Sequence, residues 1–183
     1  MVNATTMNLS NKKNAYGFVS KFFHWIMAVM LIGAWLMGNF HGDVGSWKRT
    51  FIIAHYTLGI IVFVLVGFRL VWRFKNITPK PVKKNKWLNF VSNSVFTFFY
   101  SLMFLMPLSG YIMMNFRGRS PTFFGYKIPA LFEKNVEWKK FAYETHEILG
   151  IILLVLFIMH VAAALYHHYV RKDLTLERML FLK

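Results

Sequence analysis

This sequence has no cysteine and few negatively charged residues, and both features are informative. The 183-residue chain has no Cys, and only 7 Asp and Glu residues stand against 22 Lys and Arg. Without cysteine, the chain can neither attach a haem through a C-x-x-C-H motif nor hold a cysteine-ligated iron–sulfur cluster. The sequence also has no glycine-rich phosphate loop, nucleophile elbow or paired acidic site, so a bound nucleotide or flavin is not predicted.

Apolar residues are abundant instead. The chain is 56% hydrophobic, 19% aromatic and only 16% charged, a composition unusual for a water-soluble domain. Four apolar runs, at residues 22–40, 51–72, 91–114 and 147–169, approach or exceed the roughly 20 residues that cross a bilayer. The first run ends in bulky residues rather than a small-residue cleavage site, so it is predicted to be a span. We predict an all-α integral membrane protein, a four-transmembrane-helix bundle with residues 1–183 in a single domain.

The basic residues predict the orientation of this bundle. Most of them precede the first span, lie between the second and third, or follow the fourth: Lys12, Lys13, Lys21, Arg69, Arg73, Lys75, Lys80, Lys83, Lys84, Lys86, Arg171, Lys172, Arg178 and Lys183. Under the positive-inside rule, both termini are therefore cytoplasmic. Because the basic residues flank spans and form no binding-domain motif, the net charge of +15 reflects topology and does not indicate nucleic-acid binding.

Two segments nearly repeat each other. One begins at His55 and reads His-Tyr-Thr-Leu-Gly-Ile-Ile, and the other begins at His146 and reads His-Glu-Ile-Leu-Gly-Ile-Ile. Residues four apart share a helix face, so each histidine lies beside bare backbone, at Gly59 and Gly150 respectively. A haem needs this combination, a nitrogen ligand for iron and space for a flat macrocycle. The alternative is a pair of packing glycines with incidental histidines, but the repetition favours ligands.

Helical geometry groups four histidines into two pairs. The second and fourth spans run in the same direction, which places His55 and His146 at similar depth near the outer surface. His160 follows His146 by 14 residues, which is about 21 Å along the helix and within about 40° of the same face. His24 begins the first span at the cytoplasmic side and is the predicted partner of His160. This arrangement predicts two non-covalent b haems, each with two histidine ligands.

The depth of the second pair is less well matched. His24 follows Lys21 closely, whereas His160 lies well before Arg171. The first helix must therefore start before residue 22, or the fourth must project into the cytoplasm. The alternative is that His24 is an interfacial histidine and not a ligand.

Two further residues lie on the predicted haem face at the inner level. Arg69 follows His55 by 14 residues, so its guanidinium could bind a haem propionate; snorkelling to lipid headgroups is the alternative. His167 follows His160 by seven residues and points into the bundle, while His168 is turned away by about 100°. One interpretation gives His167 a role at a site beside the inner haem. The alternative is that both histidines belong to an aromatic belt at the membrane interface.

These residues together resemble the bacterial cytochrome b561 proteins, and within them the superoxide oxidases. The resemblance includes His24-Trp25, Arg69 with Arg73, and Pro107 with Gly110. Its most specific part is the tail, where His160-Val-Ala-Ala-Ala-Leu-Tyr-His-His precedes Lys-Asp-Leu-Thr-Leu-Glu-Arg-Met. The resemblance implies that His24, His55, His146 and His160 are the haem ligands and that His167 is the quinone-site histidine. The assignment of Gly59 and Gly150 to the haem sites rests on this sequence alone and not on the resemblance.

The resemblance also implies a function and a location. It implies a protein of the bacterial inner membrane, surrounded by lipid, that oxidises superoxide at the periplasmic side and reduces ubiquinone. An outer basic ring, comprising Lys48, Arg49, Arg117, Arg119 and Lys127, would attract a small anion such as superoxide by its field. Two alternatives remain open: an electron conduit served by a dehydrogenase, a hydrogenase-like protein or another redox protein, and a membrane anchor subunit whose haems are structural.

Overall fold

Four long helices dominate the computed structural model, which describes residues 8–80 and 86–181. They are α1 (Phe18–Phe40), α2 (Lys48–Lys75), α3 (Lys86–Phe116) and α4 (Val136–Tyr169). All four are long and apolar enough to cross a membrane, and many of their large apolar side chains are exposed on the outside of the bundle. The predicted four-helix membrane architecture is confirmed. Among the predicted inner basic residues, Lys83, Lys84 and Lys183 lie outside the described residues.

The remaining elements are short. A 3₁₀ helix (Gly45–Trp47) precedes α2, a hairpin of β1 (Thr122–Phe123) and β2 (Tyr126–Lys127) lies between α3 and α4, and a second 3₁₀ helix (Glu177–Met179) follows α4. We call the end of the bundle with the hairpin the outer end, following the predicted orientation. The inner end contains the described parts of both terminal segments.

The helices extend beyond the predicted spans. Helix α1 begins at Phe18 instead of residue 22, which removes part of the depth mismatch between His24 and His160. Helix α4 begins at Val136, well before residue 147, because the Asn135 side chain accepts hydrogen bonds from the N–H groups of Glu137 and Trp138. This N-cap satisfies donors that the first helical turn would leave unpaired. The apolar pattern could not reveal the outer extension because its residues are largely polar or aromatic.

Packing between the helices is uneven. Helix α1 packs closely along α2, α3 packs closely along α4, and α2 meets α3 less extensively; in the described part of the chain, α4 has only sparse backbone proximity to α1 and α2. A small core of Met27, Val62, Val66 and Met103 lies among α1, α2 and α3, with Leu153 of α4 against it. Leu153 is midway between His146 and His160, so this core separates an outer and an inner level. Side chains, not closely packed backbones, bridge from α4 to α1 and α2 at both levels.

The C-terminal segment folds back across the inner end. Beyond α4, the Trp25 indole N–H donates to the carbonyl of Met179, and the Lys21 ammonium donates to the carbonyl of Leu180. We call residues 170–181 the C-terminal strap. These bonds attach the strap to α1, although it begins at the end of α4.

Candidate haem sites between the helices

The structure brings the four predicted histidines together as two pairs. The imidazole of His55 on α2 faces that of His146 on α4, with ring centroids 6.0 Å apart. At the inner level, His24 on α1 faces His160 on α4, also with centroids 6.0 Å apart. Each pair joins α4 to a helix against which its backbone is not closely packed, α2 at the outer level and α1 at the inner level. The partners and levels are those that the helical phase predicts.

Hydrogen bonds orient both imidazoles of the outer pair. Nδ1 of His55 lies 2.8 Å from the carbonyl oxygen of Ala34, which can only accept, so Nδ1 carries the proton. The Ser109 hydroxyl donates to the carbonyl of Met106, so its oxygen accepts from Nδ1 of His146 at 3.0 Å. Nε2 of each neutral ring is then left with a free lone pair. This is how neighbouring groups usually fix a metal-binding histidine.

Glycines on neighbouring helices make room for these two rings. A Cβ atom at Gly38 of α1 would lie 2.8 Å from Cε1 and Nδ1 of His55, and one at Gly110 of α3 would lie 2.9 Å from Cε1 of His146. Carbon atoms normally approach to about 3.5–4.0 Å, so neither position accommodates a methyl group without movement. The repeat in the sequence did not identify Gly38, and Gly110 was noted there only among the residues that carry the family resemblance.

The two glycines of the repeat lie on a cavity. Gly59 has no neighbouring atom within 4 Å of a built Cβ, whereas a Cβ at Gly150 would lie 3.1 Å from the Met106 methyl group. Both line an apolar cavity of about 720 Å³ that is also lined by His55 and His146. Its volume is within the range of about 300–1,000 Å³ typical of cofactor sites.

The outer connection closes over this cavity. Asn115 is almost completely buried, and its side-chain oxygen accepts hydrogen bonds from the N–H groups of Leu131 and Phe132. Those bonds hold the segment between α3 and α4 against the bundle, and Pro121, Ile128, Pro129 and Leu131 line the cavity. The outer site is therefore an apolar space with two imidazole nitrogens directed by fixed hydrogen bonds.

The inner pair has a different polar environment. Arg69 turns inward: its guanidinium donates to Nδ1 of His24 at 3.3 Å and lies 5.6 Å from the ring centre of Tyr100. Its position is therefore beside the histidine pair, not at the lipid surface. Because arginine can only donate, Nδ1 of His24 is an acceptor here and Nε2 carries the proton of the neutral ring. On the other side, Phe99 packs edge-on against His160 with ring centroids 5.3 Å apart.

The geometry fits the binding of a haem between the members of each pair. Imidazole nitrogens bind metals at about 2 Å, so two such bonds plus half a ring on either side span about 6 Å. Both measured centroid separations match that value. Among the described residues, no group of three or more His, Cys, Asp or Glu side chains could hold a metal ion. Two imidazoles facing each other suit a metal whose other ligands belong to a macrocycle.

The outer basic residues separate into two kinds. Four of them have exposed side chains: Lys48, Arg49, Arg119 and Lys127. Arg117 is half-buried, with its guanidinium 5.3 Å from the ring centre of Tyr143. Its Nε is buried and has no hydrogen-bond partner in the described part of the chain. The fold places it at the end of α3 because Gly118, at φ +70, ends the helix in the left-handed conformation. An unpaired buried N–H is rare and fits an anionic group of a ligand.

At the inner end, the partners of His167 and His168 distinguish these two residues. Their side chains are about equally exposed, at 35% and 32%. Nδ1 of His167 lies 2.7 Å from Oδ2 of Asp173, whereas Nδ1 of His168 is 3.9 Å from Glu177, beyond hydrogen-bond range. Sequence reasoning did not single out Asp173, although it stands six residues after His167 in the tail that carries the resemblance.

The environment of Asp173 strongly favours its ionised form. Burial raises the pKa of this carboxyl, but hydrogen bonds from Thr175 and His167 outweigh that effect and lower the pKa from 3.8 to about 2. The ion pair with His167 therefore retains its carboxylate at neutral pH.

Known proteins match most of the length of this chain. The profile described as prokaryotic cytochrome b561 matches residues 15–181. In Escherichia coli (strain K12), Cytochrome b561 homolog 2 is 28% identical over 179 residues, covering 95% of each chain, and Cytochrome b561 homolog 1 is 28% identical over 174 residues, covering 91% of this chain and 97% of its own. "Probable superoxide oxidase CybB" of Yersinia pestis is 29% identical over 162 residues, covering 86% and 90% respectively.

Proposed function

Because the chain belongs to the prokaryotic cytochrome b561 family, a family of membrane electron-transfer proteins that bind b-type haem, we propose that it oxidises superoxide at the outer face and reduces ubiquinone at the inner face. Two b haems, one for each histidine pair, complete this proposal. We further propose that the protein resides in the bacterial inner membrane. The similarity to a protein named as a probable superoxide oxidase supports the choice of donor.

The observation that carries the proposal is the stacking of two histidine pairs along α4. His146 and His160 lie 14 residues apart on this helix, and each has its partner at the same level. That spacing corresponds to about 21 Å, much of the roughly 30 Å thickness of the hydrocarbon core. Two sites at these levels suit electron transfer between opposite membrane faces.

Each histidine pair would hold one haem by binding its iron. A haem iron with two imidazole ligands exchanges single electrons and has no open position for oxygen. His55 and His146 already present Nε2, while Gly59 and Gly150 leave space on the cavity wall. For Nε2 of His24 to act as a ligand, Nδ1 must carry the proton, so Arg69 must release it. The freed guanidinium could then bind a propionate, as the unpaired Nε of Arg117 could at the outer level.

The outer charges suit an anionic donor. Lys48, Arg49, Arg119 and Lys127 are exposed at the end of the bundle that contains the His55–His146 pair, with Arg117 partly beneath the surface. A concentration of one sign of charge raises the encounter rate of an oppositely charged substrate. Two superoxide ions would release two electrons and leave as two molecules of oxygen.

The inner end suits a reaction that consumes protons. Ubiquinone takes up two electrons and two protons, and an imidazole side chain such as that of His167 can act as a general acid. It lies two helical turns beyond His160 on the same side of α4, so a quinone near the inner pair would be within its reach. We therefore propose His167 as the catalytic proton donor.

Stopped-flow absorbance tests the donor and the acceptor separately. Purified protein is mixed with superoxide, haem reduction is recorded, and a short-chain ubiquinone is then added; dithionite serves as the control reductant. We expect rapid reduction by superoxide and reoxidation by quinone. Reduction by dithionite alone would exclude superoxide as the donor and favour a conduit served by another redox protein. Failure of quinone to reoxidise the reduced protein would exclude the proposed acceptor.

A pair of adjacent substitutions tests the role of His167. His167→Leu should slow quinone reduction by about 100-fold or more, the range of general acid catalysis, and leave reduction by superoxide unchanged. His168→Leu is the matched control and should keep the wild-type quinone rate. If His168→Leu blocked quinone reduction and His167→Leu did not, the proton donor would be wrongly assigned.

A further inference from the structure

The carboxylate of Asp173 is held in a network that also fixes His167. Oδ2 accepts from Nδ1 of His167 at 2.7 Å, and Oδ1 accepts from the backbone N–H of Thr175 at 3.0 Å and from its hydroxyl at 2.5 Å. The carboxylate side chain is only 8% exposed. Both oxygens therefore have partners, and the carboxylate has a single orientation toward the imidazole.

The backbone of the C-terminal strap is shaped to return this carboxylate to α4. Lys172 adopts a left-handed conformation with φ +50, which turns the chain, and the N–H of Asp173 then donates to the carbonyl of His167 at 3.1 Å. Asp173 is thus bonded to His167 through both its backbone and its side chain. Further along the strap, Arg178 donates to the carbonyl of Lys80, which fixes the strap to the segment after α2.

We propose that Asp173 is the positioning residue of the quinone site: it holds the His167 ring with Nδ1 protonated and Nε2 directed to the quinone. This inference rests on the proposed function. When His167 is protonated at both nitrogens, Nε2 gives its proton to an oxygen of the two-electron-reduced quinone, and Nδ1 keeps its bond to Asp173. The other oxygen of the reduced quinone takes its proton from water, His167 regains its own proton from water, and Asp173 is unchanged throughout. The electrons come from superoxide through the proposed electron-transfer path.

The neighbouring histidine lacks such an arrangement. Of the carboxylates among the described residues, only that of Glu177 lies near His168, at 3.9 Å, and the Glu177 side chain is 53% exposed, so this contact restricts the ring weakly. The basic side chains of this end include Lys21 on α1, Lys80 after α2, and Arg171, Lys172 and Arg178 on the strap. Among the ionisable side chains of the described residues, His167 alone is paired with Asp173. Replacing Asp173 and Glu177 in turn by their amides therefore gives a matched comparison of the carboxylate beside His167 with the carboxylate beside His168.

The central experiment compares Asp173→Asn with Glu177→Gln in full-length, haem-loaded protein. An amide in place of the Asp173 carboxylate can donate as well as accept, so it no longer enforces protonation of Nδ1. We expect Asp173→Asn to slow ubiquinone reduction by about 100-fold, with haem content and reduction by superoxide unchanged. Glu177→Gln should keep the wild-type rate. Asp173→Glu, which retains the carboxylate, should restore most of the rate.

Nitrogen NMR of protein labelled at histidine provides a readout that does not depend on turnover. The His167 resonances, assigned by their loss in His167→Leu, should indicate a protonated Nδ1 in the wild type and a changed tautomer mixture in Asp173→Asn. An unchanged tautomer, or a wild-type quinone rate in Asp173→Asn, would overturn the proposal. If the wild type itself failed to reduce ubiquinone, the proposed function would fall, and the NMR comparison would still decide whether Asp173 fixes the His167 tautomer.

Discussion

Substitution of Gly110 by alanine is the most direct test of the outer haem site. The new Cβ would lie 2.9 Å from Cε1 and 3.3 Å from Nδ1 of His146. Since carbon atoms normally stay about 3.5–4.0 Å apart, the imidazole must move by about 0.6–1.1 Å. Metal–ligand distances tolerate only about 0.2 Å, so this displacement is several times too large for a ligand that remains in place.

The expected loss follows from that displacement. The ring would leave its preferred rotamer and weaken its bond to Ser109, at a cost of about 0.5–1.5 kcal/mol for each effect. Disturbed supporting contacts typically reduce metal affinity by 10–100-fold, and we expect a change of about that size for the outer haem. The inner haem should be retained, because His24 and His160 do not contact Gly110.

Haem titration of apoprotein measures this effect, with low-spin electron paramagnetic resonance reporting ligation. Gly67→Ala is the matched control, since Gly67 lies on an exposed part of α2 with no atom within 4 Å of its added Cβ. We expect the control to bind two haems like the wild type. Wild-type affinity and two unchanged low-spin signals in Gly110→Ala would refute the assignment of His146 as a haem ligand held against α3.

Three further outcomes are expected. His55→Ala should remove the outer haem and spare the inner one, while His24→Ala should do the reverse, with haem per chain in a pyridine haemochrome assay falling from about two to about one; loss of both haems from a folded single variant would contradict separate sites. The double change Lys48→Glu and Lys127→Glu should slow haem reduction by superoxide and flatten its dependence on salt, and a rate indifferent to salt would contradict steering. Because the folded-state pKa of Asp173 is depressed from 3.8 to about 2, its contribution to stability should be complete well above pH 4 and disappear as the pH falls through about 2. Acid unfolding of Asp173→Asn should lack this component, and curves identical to the wild type would disprove it.

The long-range pairing of histidines could be predicted because helical phase and membrane direction are local properties. Once α2 and α4 run in the same direction, equal distances from their outer ends place His55 and His146 at the same depth. The same reasoning could not fix helix ends, because Asn135 starts α4 through a cap and not through an apolar residue. The earlier start of α1, at Phe18, followed one of the two explanations that the depth of His24 allowed, although the apolar run alone begins at residue 22.

Composition and the 3.6-residue period of a helix are enough to predict the membrane class, the four spans and the grouping of histidines. Tertiary structure decided which groups support them. Gly38 and Gly110 are close to His55 and His146 only because different helices pack together. A glycine has no side chain, so its residue type does not indicate which group lies next to it. The Asp173 carboxylate meets His167 only because the chain reverses at Lys172. Contacts of this kind depend on where two distant segments of the chain meet in space. The residue periodicity within one segment does not predict that position.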